Sequence, residues 1–380
     1  MSETWLHTPT KTVIGTGSIN RIGLLAAECG NRALVVTESV LEEWGLVDRI
    51  KRVLFNAGVK CIIFNEINDN TTSRAVDRAV EMVKKSRAQL VIGFGGVHAL
   101  SIAKCAAGLT SGNQTIDGVL SGGNFGPKGV PYIAVPSTCR DPFLFTDRCF
   151  IVDARDRSAK VLPTGRFSDA AVLDPELTLS LSAKFTATTL LDTLLLAVEG
   201  FISKRSSFIS DRLLLQVCKP IIYMMKSAVL EPKDIGHREK AMQYGFFTAL
   251  GLATSSYGLG SAVSLVLGGR FSIPHSWISA ILLPHILEWA NTVAPDKVFQ
   301  LVESVQEDRL GSPLQSSEEL IDFTRYTIAS MRLPMRLHAL DLEFSKIAGC
   351  IPMIGAIEGT SYLPVSVTKD DMYNLLKQAY

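Results

Sequence analysis

In the first half of the chain, short apolar runs of period two trade places with longer segments whose apolar residues recur every three or four positions. Thr10–Gly15 alternates like a short strand and enters a turn at Gly15–Gly17, and Ile19–Ala27 follows as a helix. Arg32–Thr37 reads as a buried strand ending at Glu38. Ser39–Ala57 reads as one amphipathic helix that stops at Asn56-Ala57-Gly58. Val59–Phe64 is the next strand, and Ser73–Ser86 a helix with its apolar stripe at Ala75, Val76, Ala79, Val80 and Val83. Gln89–Ile92 is a strand feeding the turn Gly93-Phe94-Gly95-Gly96. A helix runs from about His98 to Gly108, and Tyr132–Val135 is a further strand. Strands alternating with helices predict a parallel, Rossmann-like doubly wound α/β sheet.

From Lys184 onward the pattern turns helical. Thr186 or Thr188 is the expected cap of a helix ending near Ile202, and Asp211–Lys226 is expected to break at Pro220. Further helices are expected at Arg238–Tyr257, Ala262–Leu267, Ser276–Ala290, Asp296–Val305, Ser317–Met331 and Thr368–Ala379. The join falls near Leu177–Ser182, which gives an α/β domain over 1–180 and an all-α domain over 181–380.

Composition narrows this picture. A chain of 380 residues exceeds one ordinary core. A formal charge of +1 gives no electrostatic pull toward nucleic acid or a membrane surface. The longest apolar run, taken as Ile278–Leu287, is interrupted by Pro284 and His285 and too short to span a bilayer. The seven cysteines show neither CxxC spacing nor a nucleophile constellation, and the N-terminus has no signal-peptide pattern. The expectation is a cytoplasmic protein handling a small molecule, with no nucleic acid or membrane partner.

Two strand ends carry candidate chemistry. Glu38 follows the second strand, where an acid accepts hydrogen bonds from a ribose diol; the alternative is a solvated loop acid. Gly93–Gly96 lies at a strand-to-helix turn, where a helix N-terminus favours phosphate; the alternative is plain turn geometry.

At GFGGVHALSIAK the chain resembles the iron-containing (group III) alcohol dehydrogenases, relatives of glycerol dehydrogenase and dehydroquinate synthase. The resemblance runs end to end, through HTPTKTVIGTGSINRIG, VPYIAVPST, IPHSWISAILLPHILEWAN and, most specifically, VLDPELTLSLSAKFTATTLLD. It implies a dinucleotide-binding domain, an all-helical domain, and a cleft holding NAD(P), substrate and a divalent metal, in a homo-oligomer. Its phosphate turn, G-G-G-S-x-x-D-x-x-K, is matched by Gly95, Gly96 and Lys104, while Val97, His98 and Ser101 depart from it. A β-branched Val97 stands where backbone should approach a pyrophosphate. In the second cofactor segment, P-T-T-x-G-T-G-S-E, Pro136, Ser137 and Thr138 fit, but Arg140-Asp141-Pro142-Phe143-Leu144 replaces the flexible part. Lys160 stands where the family often has a lysine.

The metal pattern is Asp-x-x-x-His, then two histidines fourteen residues apart; here the four positions are Asp192, Leu196, Ser261 and His275. Leu265 also replaces a histidine that many relatives carry near the substrate. A catalytic zinc or ferrous site takes three protein ligands, so two imply that no metal is held. The leading expectation is therefore an NAD(P)-dependent oxidoreductase without a catalytic metal. Its catalytic candidates are His275, Asp192, Lys160 and Arg140. Its weakened cofactor site would comprise Glu38, Gly95, Gly96, Val97, His98, Lys104, Ser137 and Thr138, with Glu38 favouring NAD over NADP. Two other readings stay open: a repurposed non-redox enzyme of a specialised pathway, and a non-catalytic binding or subunit protein.

Overall fold

Among the described residues, runs rich in Val, Ile and Leu form eight strands: β1 (Lys11–Ile14), β2 (Arg32–Thr37), β3 (Lys60–Phe64), β4 (Leu90–Gly95), β5 (Tyr132–Pro136), β6 (Arg148–Val152), β7 (Ala159–Pro163) and β8 (Ala170–Leu173). The structure, a computed structural model, describes residues 3–67, 72–126, 129–306 and 316–380. They divide into one unit of His7–Ser180 and another of Leu181–Tyr380 with the N-terminal residues through Leu6.

In the first unit six strands pair in parallel in the order β1-β8-β5-β4-β2-β3, and β6 and β7 form a separate antiparallel hairpin. β4 and β5 are buried along their whole length, as strands covered on both faces must be. Ile19, Ile22, Leu41, Ile50 and Leu54 cover one face over Val35, Ile92, Phe94, Ile133 and Val172. The chain runs outward from β2 to β3, then returns to β4 and proceeds through β5 to β8. The order thus reverses between β2 and β4, and a crevice at the carboxyl ends of these strands is where open α/β sheets bind ligands. The motif that carried the resemblance most specifically has a structural task here. Buried Asp174 accepts N–H bonds from Gly17 (3.1 Å), Ile19 (3.0 Å) and Glu176 (3.0 Å), locking the turn after β1 to the end of β8.

Several expectations are corrected. Ser39–Ala57 is two helices, Ser39–Glu43 and Leu46–Asn56, because Gly45 takes a left-handed φ of 72°. The fourth strand runs on through Phe94 to Gly95 instead of stopping at Ile92. The strands β6, β7 and β8 were not foreseen. Pro220 does not break its helix, which is continuous over Phe208–Leu230 and packs along helices Ala183–Ile202 and Ile235–Leu252. Those contacts tolerate the one missing N–H bond. The cap of Ala183–Ile202 is Ser182, whose Oγ accepts from Phe185 N at 3.2 Å. Thr186 instead donates to Ser182 O and accepts from the buried Arg238 guanidinium at 2.8 Å, and Thr188 lies buried within the helix. The helix expected at Arg238–Tyr257 is Ile235–Leu252.

The helical unit's other main elements are Leu259–Phe271, His275–Val293, Pro295–Gln306, Ser317–Ser330 and Lys369–Ala379. By length and composition alone, Ala183–Ile202 and Phe208–Leu230 are long and apolar enough to cross a membrane, and both are longer than the run Ile278–Leu287. Nearly all of Ala183–Ile202 is buried, so its apolar surface is taken up by protein.

Candidate functional site

The crevice between β2 and β4 is built by register. Thr37 pairs with Phe94, and Gly95 with Pro136, so Glu38, Gly95–Gly96 and Ser137 are brought to one edge. The Ser137 N–H donates to Gly95 O at 2.9 Å. The Glu38 carboxylate reaches across and accepts the Gly96 N–H, at 3.1 Å from Oε1. Gly95 is required twice over. Its φ is +152°, and a Cβ there would stand 1.8 Å from Glu38 Oε2. Burial pushes the Glu38 carboxyl up to about 7, opposed by the Gly96 hydrogen bond. The N–H that the resemblance assigns to phosphate is thus held by the chain's own carboxylate.

The neighbouring candidates fall into different roles. Val97 is buried in the first turn of helix Val97–Gly108. Burial, and secondarily the charge of Arg140, depresses His98 to about 4, so its imidazole is neutral at pH 7 and packs edge-on against Phe150. Lys104 is buried, and its ammonium donates to Phe143 O (2.8 Å), Thr146 O (3.0 Å) and Arg148 O (3.0 Å). Three donors meet three carbonyls, so Lys104 anchors the segment that replaces the flexible cofactor loop. Asp141 accepts the Phe143 N–H at 2.8 Å in the same segment. Thr138 Oγ1 bonds both the N–H and the carbonyl of Arg140, which is buried. Lys160 is exposed on β7, and its charge acts on Asp153 and Asp156. The structure therefore gathers Glu38, Gly95, Gly96 and Ser137 at the crevice, gives Lys104 to a structural task, and sets Lys160 on the hairpin.

In the helical unit, Asp192 and Leu196 lie one turn apart on Ala183–Ile202, and each is only 1% exposed. Ser276 Oγ donates to Thr188 Oγ1 at 3.1 Å, one turn before Asp192, and so fixes the start of helix His275–Val293 against that face. His275 is buried, and its Nδ1 lies 2.9 Å from Ser264 O. A carbonyl only accepts, so Nδ1 carries the hydrogen and Nε2 is an acceptor in the neutral ring. Gly268 admits the ring, since a Cβ there would stand 2.4 Å from Nδ1.

Ser261, at the remaining ligand position, is turned elsewhere. Its hydroxyl donates at 2.5 Å to Glu199, which also accepts N–H bonds from Gly258 (2.9 Å), Gly260 (2.6 Å) and Ser261 (3.2 Å). Glu199 thereby caps helix Leu259–Phe271, and burial pushes its carboxyl up to about 7. Sequence reasoning missed it, although an acid in the apolar run LLLAVEGFI marks a group that must find donors. Leu196 offers no donor atom and Ser261 is committed to Glu199, which leaves Asp192 and His275. Among the described residues, the only group of three or more acidic, His or Cys side chains with ligand atoms close together is Glu231, Asp234 and His237, on another part of the unit. The residues at the family's ligand positions do not fit a three-ligand catalytic metal.

Family models match both units: iron-containing alcohol dehydrogenase over residues 9–175, and the C-terminal region of the Fe-containing alcohol dehydrogenase family over 186–380. The chain is 26% identical to alcohol dehydrogenase 4 of Saccharomyces cerevisiae, covering 100% of this chain and 99% of that one. It is also 26% identical to an NAD-dependent methanol dehydrogenase of Bacillus methanolicus, over 84% of each. Among solved structures it is similar to a 1,3-propanediol oxidoreductase (TM-score 0.90, 22% identity, 100% of both chains). It is similar too to sulfoacetaldehyde reductase from Bifidobacterium kashiwanohense in complex with NAD+ (TM-score 0.88, 21% identity, 100% and 99% covered).

Proposed function

The chain belongs to the iron-containing alcohol dehydrogenase family, and we propose on that premise that it is an NAD-dependent oxidoreductase interconverting a small alcohol and its carbonyl compound without a catalytic metal. The observation that carries this reading is the Glu38 carboxylate on the Gly96 N–H at the β2/β4 crevice. It is a half-buried acid placed where a ribose diol binds in sheets of this topology. When bound, NAD supplies the acceptor or donor of hydride. Glu38 would exchange part of its hydrogen bonding for the ribose hydroxyls and would repel the 2′-phosphate of NADP. Gly95 and Gly96 keep the backbone open for that approach, and Ser137 and Thr138 border it at the end of β5. His275 would take the alcohol's hydroxyl proton at Nε2 in oxidation and return it in reduction, with Nδ1–H held by Ser264 O. Asp192 would supply negative charge to stabilise the imidazolium. Proton transfer by His275 replaces the polarising role a metal would have, at a helix start fixed by the Ser276–Thr188 bond.

A second reading has one specific observation in its favour: Gly96 N–H is already occupied by Glu38, with a buried β-branched Val97 following it. That arrangement suits a ligand other than a dinucleotide in a non-redox role. The two readings separate in a titration of metal-stripped protein with NADH and NADPH from pH 6 to 8. The proposal expects NADH to saturate and NADPH to bind at least about tenfold more weakly, a difference of about 1.4 kcal/mol. Glu38 is half protonated near pH 7 and binds the ribose ionised, so NADH affinity should rise by about tenfold across that range. Glu38→Gln should abolish both the pH dependence and the discrimination. Absence of saturation by either nucleotide would favour the second reading.

A further inference from the structure

Two cysteines that the dehydrogenase reading does not use stand against each other in the first unit. Cys105 lies on helix Val97–Gly108 and Cys149 on β6; both are buried, and their sulfurs are 2.8 Å apart. A disulfide closes two sulfurs to about 2.05 Å, so the remaining approach is less than about 1 Å and lies within side-chain adjustment. The backbones on either side are already clamped. Ser101 Oγ accepts the Phe150 N–H at 3.1 Å, and Lys104 donates to Arg148 O at 3.0 Å. Helix and strand are therefore held in register immediately beside the two sulfurs.

We propose that Cys105 and Cys149 form a site of reversible oxidation, closing to an intramolecular disulfide when the protein meets a hydroperoxide. One sulfur attacks an oxygen of the hydroperoxide; the O–O bond breaks, giving a sulfenic acid and water from hydrogen peroxide, or an alcohol from an organic hydroperoxide. The second sulfur then attacks the sulfenic sulfur; the S–O bond breaks, the S–S bond forms, and a second water leaves with the remaining thiol proton. With hydrogen peroxide, two thiols lose two electrons and the peroxide becomes two waters. Burial holds the Cys105 thiol well above its usual range, so the attack is slow and the site answers to sustained exposure. The crosslink joins residues 44 apart and fastens the helix that follows the Gly95–Gly96 turn to the β6–β7 hairpin. This constrains the unfolded chain and raises thermal stability.

The test uses the full chain, purified under reductant, desalted, and incubated with hydrogen peroxide or, separately, diamide. Peptides mapped without reduction should include a linked pair carrying Cys105 and Cys149. Its mass should be two hydrogens below the sum, and dithiothreitol should reverse the link. The thermal midpoint should rise by a few degrees on oxidation and fall back on reduction. Cys105→Ala and Cys149→Ala should each abolish the shift, whereas Cys29→Ser should retain it. The peptide map needs no variant, so a variant that fails to fold leaves the test intact. If both residues stay reduced while Cys29, Cys61 and Cys139 are oxidised, or if the link joins another pair, the proposal is overturned.

Discussion

Glu199 is the residue on which the helical unit's site turns. Its carboxylate gathers three backbone N–H groups and the Ser261 hydroxyl, all buried. Removing it strands those donors, and each buried unpaired donor costs about 1–3 kcal/mol. Glu199→Ala is expected to destabilise the protein by about 3 kcal/mol or more in chemical denaturation, while Glu199→Gln keeps an acceptor for the helix N-terminus and costs less. The sign of the pH effect follows from the upward displacement to about 7. The folded state holds this proton at a pH where the unfolded chain, with a carboxyl near its ordinary value, has released it. Stability from this group is therefore complete below the unfolded pKa and is lost as pH rises toward 7. Glu38 contributes in the same direction. The thermal midpoint should fall between pH 5 and 7, and Glu199→Gln should flatten that slope; an unchanged slope would mean that Glu199 does not titrate there.

At the scale of elements, the parallel sheet was legible because its central strands β4 and β5 are fully buried, β2 nearly so, and they read as apolar runs between amphipathic helices. The β6–β7 hairpin was not. Its turn, DARDRS, is polar, and its strands have no strict alternation, so local pattern gives no period to detect. Ser39–Ala57 failed for a related reason. A glycine within an amphipathic pattern costs little in sequence, but Gly45 is left-handed and turns the chain between two helices. Gly45→Ala isolates that backbone term, since nothing lies within 4 Å of the added Cβ. The substitution is expected to cost about 1–2 kcal/mol in a denaturant titration, the strain of a left-handed non-glycine residue. A neutral result would show that the turn can relax. Lys104 illustrates the limit at the candidate site. A lysine in an apolar helix looks the same in sequence whether it meets a phosphate or three carbonyls from residues 143–148, and only the tertiary structure tells them apart.

Over the whole molecule, the fold is the family's, and at two of the four positions that the resemblance gives to metal ligands the chain carries Leu196 and Ser261. The alignment with the yeast alcohol dehydrogenase spans the full chain at 26% identity, so the changes at Leu196 and Ser261 sit within a preserved scaffold. Each is also integrated: Leu196 is an apolar side chain buried in its helix, and Ser261 completes the Glu199 cap. A site that had merely lost its ligands would keep room for them, whereas here one position is apolar and the other is engaged. Metal analysis of the chain purified without chelator should accordingly find iron and zinc well below one equivalent. Leu196→His combined with Ser261→His should recover stoichiometric binding, with Asp192 and His275 completing the set, while either single change falls short of it. The double variant should also be less stable, because Glu199 loses the Ser261 hydroxyl. One equivalent of metal in the unmodified chain, lost on His275→Ala, would overturn the metal-free reading and return His275 from proton carrier to ligand.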